Sequence, residues 1–205
     1  MTEMHGIPAV CQSFPGIDAM GFDCRVDPTV SIMRFGPAAQ KIVLGDRVSL
    51  YGQTRLVVGD VQADPLVGVQ IGAGTIVNVG CYLSGEGGLS IGPNVLIGPH
   101  AKLLSAGHEI DQGHSIIAKN AITRSAIVIE EGAWIGAGAI VLEGVRIGRG
   151  AVVAAGALVR TSVPDGMIAA GVPAALIRAR GHNASAASSH SVASRLSAWW
   201  KSLFR

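Results

Sequence analysis

The residues best able to do chemistry are gathered in one polar-starting segment, SAGHEIDQGHSIIAKNAITRSA, which spans 105–126 and holds two of the six histidines. An imidazole with a pKa of roughly 6.5 can take a proton at neutral pH and give it back. His108 follows Gly107, so its ring is able to project away from whatever carries it. A partner on its other nitrogen must fix the tautomer, and Glu109, Asp111 or a backbone carbonyl could supply it. His100 and His114 are the rivals for the same role. A metal site is the other reading, with His108, His114 and Asp111 as ligands, but their mixed spacing fits neither a helix face nor a hairpin face. The glycine-rich pieces GAGTIV, GEGG and GAGAIV are not phosphate loops, because no GK[ST] follows them.

The elements that must position these groups are announced by a period. From Ile129 to Arg160 a branched aliphatic recurs every six residues, at Ile129, Ile135, Val141, Ile147, Val153 and Val159. The fifth place of each hexad is small or Val, as at Ala133, Ala139, Val145, Ala151 and Ala157. Neither helical spacing nor strict alternation fits six, whereas a parallel β-helix with three hexads per coil does. The spacing then predicts that Ile129 stacks on Ile147, Ile135 on Val153 and Val141 on Val159. Trp134 is too large for such an interior and is expected on the outer surface.

Composition agrees. Only 15% of residues are charged and 4% aromatic, while 28 of 205 are Gly, which suits a narrow prism filled by aliphatics. Three cysteines, Cys11, Cys24 and Cys81, are odd in number and lack CxxC spacing, so neither a disulfide framework nor a zinc site is indicated. The N-terminus has no basic segment followed by an apolar run, and no stretch reads as a membrane span. A cytoplasmic, reduced setting is the default expectation.

In chain order, residues 1–41 are expected to cap the solenoid, which is expected over 42–178 with one excursion at 104–126. The repeat starts at Leu44, Leu50 and Leu56, falters through Asp60 to Pro65, and resumes at Ile71, Val77 and Leu83. Residues 179–205 read as a linker of small residues and then an amphipathic helical tail, SVASRLSAWWKSLFR. That tail either docks on the solenoid or lies at a membrane surface, since its tryptophans and cations suit the lipid boundary.

The hexads together with the closing phrase SVPDGMIAAGVPAALIR (162–178) resemble the hexapeptide acyltransferase superfamily. Residues 71–178 look most like its galactoside and maltose O-acetyltransferase branch. The resemblance implies a left-handed β-helix, acetyl-coenzyme A as co-substrate and a homotrimer with sites between subunits; neither a metal nor a nucleic-acid partner is expected. SAGHEID matches the loop of the catalytic histidine, placing that role on His108. VNVGCYL places an acceptor contact on Asn78. AWIGAGAIV implies that Trp134, Gly136 and Ala137 flank the pantetheine arm, and VVAAGALVRTSVP adds Ala155 and Arg160 along the same channel. GVPAALIR puts Arg178 at the coenzyme phosphates. The position three before it, often basic in this branch, is Ala175 here, with Arg180 as a nearby substitute. The expected reaction is transfer of acetyl to a hydroxyl of a sugar or glycan. Other acceptors (an antibiotic, an amino sugar, serine) and a zinc carbonic anhydrase on the same fold are the alternatives.

Overall fold

One aliphatic every six residues gives each short strand a single inward side chain, and the chain winds to match. The structure, a computed structural model, describes residues 7–34, 41–59 and 67–181. Three parallel sheets form the faces of a prism. The first face stacks Ala19–Met20, Ile42–Leu44, Val69–Ile71, Leu89–Ile91, Ile127–Ile129 and Arg146–Ile147. The second stacks Arg25–Val26, Ser49–Leu50, Ile76–Val77, Leu96–Ile97, Trp134–Ile135 and Val152–Val153, and closes on Met167–Gly171 and Ala174–Ala179. The third stacks Ser31–Arg34, Arg55–Val58, Tyr82–Ser84, Lys102–Leu104, Ile140–Leu142 and Leu158–Val159. Each coil visits the faces in that order and turns three edges. This is the parallel β-helix that the hexads predict, left-handed as the resemblance implies.

The stacking follows the hexads residue by residue. Ile129 pairs with Ile147, Ile135 with Val153 and Val141 with Val159, and all six are buried. The fifth-place residues Ala133, Ala139, Val145, Ala151 and Ala157 are buried at the edges. Where a polar group takes such a place it finds a backbone partner, as buried polar groups must. Thr75 Oγ1 donates to the Gly92 carbonyl at 2.8 Å, and Cys81 Sγ to the Gly98 carbonyl at 3.2 Å. Burial pushes the Cys81 thiol up to about 11, so it is a small core residue and no nucleophile.

The first coil starts at Ala19, well before residue 42. Met20, Val26 and Ile32 are its inward hexad, six apart like the rest, but a methionine hides the first of them from a search for branched aliphatics. At the other end, Val163 still bridges Ile147 in parallel before the chain reverses in an antiparallel pair, with Met167 facing Ala179. The stretch from Asp60 to Pro65 where the repeat falters and the tail at 191–205, with its helical, docking and membrane readings, lie outside the described residues. Among the described residues no helix is long and apolar enough to cross a membrane.

The excursion is more ordered than a loop. Ala106–His108 pairs antiparallel with Ile122–Arg124, with one 3₁₀ turn at Ile117–Lys119 between them. Its root is pinned inside the prism by Ser105, whose hydroxyl donates to the Ser84 carbonyl at 2.7 Å and accepts the Gly87 N–H at 3.0 Å.

Candidate functional site

The predicted site residues fall on two edges of the prism. After the second face the chain turns toward the third at Asn78 in the third coil, at Gly136 and Ala137 in the fifth, and at Ala155 in the sixth. Trp134 lies beside that edge on the outside of the second face, half exposed as expected. After the third face the chain turns back toward the first. That edge carries the excursion with His108 and, two coils on, Arg160. Arg178 is on the last strand of the second face, opposite Ile168. Within one chain, Asn78 and His108 are therefore on different edges.

On the first of these edges, Asn78 donates its Nδ2 to the Ile97 carbonyl at 3.0 Å, which fixes the orientation of the amide. It lines an open groove of about 290 Å³ with Asp27, Thr29, Tyr51, Gln53 and Val79. Asp27 is buried, and its Oδ1 accepts both the N–H and the hydroxyl of Thr29, at 2.8 and 2.6 Å. These groove residues were not legible from the hexads, because they come from three coils about 25 residues apart. Gly136 is buried, and a Cβ there would collide with the Ala155 backbone nitrogen of the next coil, so close coil approach is its first requirement. Ala137 and Ala155 are exposed and leave the edge bare. His100, one coil after Asn78, lies on this same edge in the left-handed region, with its ring occupying the space a Cβ on Gly80 would need.

On the other edge, His108 ends the first hairpin strand and is exposed. Glu109 is bonded within its own loop. Its carboxylate accepts the Asp111 N–H at 2.8 Å and the Gln112 N–H at 3.3 Å, and these bonds hold the carboxyl below its usual range. His114 is also committed to the loop, since its Nδ1 accepts the Ile116 N–H at 2.9 Å. Asn120 closes the tip, accepting the His114 N–H at 2.6 Å and donating to the Glu109 carbonyl at 2.9 Å. The acidic group brought to the hairpin strands is Glu143, from the coil after the excursion, which bonds Thr123. Sequence spacing gave no hint of it. Among the described residues there is no group of three His, Cys, Asp or Glu that could hold a metal ion.

The cationic groups are placed less tightly. Arg160 and Arg178 are both exposed. Arg178 donates to the Ala179 carbonyl at 3.1 Å, and Arg180 reaches back to the Gly150 carbonyl at 3.2 Å, tying the final strand to the sixth coil.

Residues 126–161 match the family model described as bacterial transferase hexapeptide (six repeats). Among solved structures, the chain is similar to a variant of AntD, an N-acyltransferase from Bacillus cereus, in complex with dTDP-4-amino-4,6-dideoxyglucose and coenzyme A. The two share 21% identity and a TM-score of 0.69, with 92% of each chain covered. It is also similar to the hexapeptide-repeat acetyltransferase VCA0836 from Vibrio cholerae O1 biovar eltor, complexed with acetyl coenzyme A. There the identity is 25% and the TM-score 0.53, with 80% of this chain and 71% of that chain covered. The chain thus carries the hexapeptide repeat of bacterial transferases on a fold shared with a solved N-acyltransferase and a solved hexapeptide-repeat acetyltransferase.

Proposed function

We propose that this protein is an acyltransferase that moves acetyl from acetyl-coenzyme A to a hydroxyl of a sugar or glycan, with His108 as general base. The observation that carries the reading is the transferase repeat at 126–161, because its coils flank both the bare edge at Ala137 and Ala155 and the hairpin that bears His108. The acetyl-coenzyme A held by the Vibrio cholerae relative supports the donor.

An alcohol is a weak nucleophile at its own pKa, so its proton must leave as the oxygen attacks the thioester carbonyl carbon. The His108 imidazole takes that proton and returns it to the departing coenzyme thiolate when the tetrahedral intermediate collapses to the ester. Oδ1 of Asn78 accepts from the acceptor hydroxyls. Trp134, Ala137 and Ala155 line the pantetheine channel, and Arg160 and Arg178 meet the phosphates. Because Asn78 and His108 sit on different edges of one chain, a homotrimer completes the site, with Asn78 from one subunit facing His108 from the next.

The test is incubation with acetyl-coenzyme A and a panel of saccharides, read by release of free thiol. His108→Ala should lower turnover at least about 10²-fold while coenzyme binding is retained. Undiminished turnover removes His108 from the mechanism.

A further inference from the structure

The hairpin that carries His108 consists of two three-residue strands. A two-stranded pairing of that size is marginal in water unless something outside it holds it. Its tip bonds are local, among Glu109, His114, Ile116 and Asn120. Its root is pinned at Ser105. Between root and tip, the described residues give it one side-chain tie to the solenoid. Thr123 Oγ1 donates to the Glu143 carboxylate and lies 3.0 and 3.1 Å from its two oxygens.

Two further observations place this tie next to His108. Thr123 is the ladder partner of Gly107, the residue before His108. A Cβ on Gly107 would stand 3.1 Å from Thr123 Oγ1 and 3.6 and 3.8 Å from the Glu143 oxygens, so the tie lies across the strand at the bare glycine. Glu143 itself sits on firm ground. It follows the strand Ile140–Leu142, which pairs in register with Lys102–Leu104 beneath the hairpin root, and the next residue, Gly144, donates its N–H to the Ser125 carbonyl at 3.2 Å.

We propose that Glu143 and Thr123 form a brace that positions His108, holding the hairpin at the height where the imidazole meets its substrate. They are positioning residues and touch no reacting atom. The charged acceptor makes the bond stronger than a neutral one. It also explains why a glycine precedes the histidine: a side chain at 107 would press on the brace. The inference rests on His108 as the base, since a loss of catalytic geometry of even an ångström is costly only where a reacting group is displaced.

The experiment compares Thr123→Val and Glu143→Ala with Thr123→Ser and Glu143→Gln, which keep a hydroxyl and an accepting oxygen. Two quantities are read on the full-length protein: exchange of the Glu109 amide, which bonds the Ala121 carbonyl across the hairpin, and steady-state kinetics. In Thr123→Val and Glu143→Ala the amide should exchange about tenfold faster and kcat fall about tenfold, with KM for acetyl-coenzyme A within about twofold. Thr123→Ser should stay near wild type. Unaltered exchange in Thr123→Val overturns the brace. Faster exchange with unaltered kcat overturns its positioning role. His108→Ala assayed alongside separates the two ideas: if it too retains kcat, the functional reading has failed, and if it alone loses kcat, only the brace has.

Discussion

At the scale of the residue, each predicted site position has a location that its chemistry can be judged against. Arg178 is exposed on the last strand of the second face, the same face that carries Trp134. If it meets coenzyme phosphates, Arg178→Ala should raise KM for acetyl-coenzyme A several-fold at low salt, less so near 0.15 M, and leave kcat nearly unaltered, because exposed charges are screened over about 8 Å at that ionic strength. An unmoved KM at both salt concentrations would withdraw the assignment. The coil positions of His108, Trp134 and Asn78 were legible from short phrases, since each phrase fixes a place in a coil. Glu143 and the Asp27 groove were not, because contacts between coils depend on the lengths of the intervening turns, and those carry no period. Gly136 shows the opposite limit. Its phrase fits a coenzyme channel, but the backbone of the next coil already requires glycine there.

At the scale of the element, the coil is the unit of stability, and its strands were readable because one inward residue per hexad is a strong signal. Ile135 is fully buried between Ile97 and Val153. Ile135→Ala should cost about 2–5 kcal/mol in urea unfolding, since a prism stacked on both sides cannot collapse into the cavity. The first coil adds an electrostatic tie. The Asp18 carboxylate pairs with Arg34 at 2.7 Å and accepts the N–H groups of Lys41 and Ile42 at 2.9 and 2.8 Å, joining the first two coils. Burial opposes its charge, but Arg34 and the two N–H groups outweigh that and hold the carboxyl below its usual range. A depressed folded-state pKa stabilises above the unfolded value of about 3.9, and that contribution is lost as pH falls through the folded value. Asp18→Asn should therefore lower the urea midpoint clearly at pH 7, and the gap to wild type should narrow below about pH 4. A gap that stays constant with pH would mean that the charge of Asp18 contributes nothing.

At the scale of the whole molecule, the question is how one edge of the prism meets another. The hairpin that bears His108 carries exposed Ile110, Ile116, Ile117 and Ile122, an apolar surface that a neighbouring subunit in a trimer would cover. In a closed ring of three, every site would be built from the Asn78 edge of one subunit and the hairpin of the next, and every subunit would contribute to two sites. This arrangement makes a prediction that no single-subunit site can meet. Asn78→Ala and His108→Ala are each expected to be nearly inactive alone. When the two inactive chains are co-expressed or refolded together in equal amounts, each interface draws its Asn78 side and its hairpin side at random. About a quarter of the interfaces then pair an intact Asn78 with an intact His108, so roughly that fraction of wild-type activity should return. Sedimentation should show a trimer in every case. If both residues served one site within the same chain, mixing would restore nothing, because each chain would still lack one of them. Absence of recovery in mixtures shown by mass to contain both chains would place the site within a single subunit and leave the division between the two edges without a catalytic role.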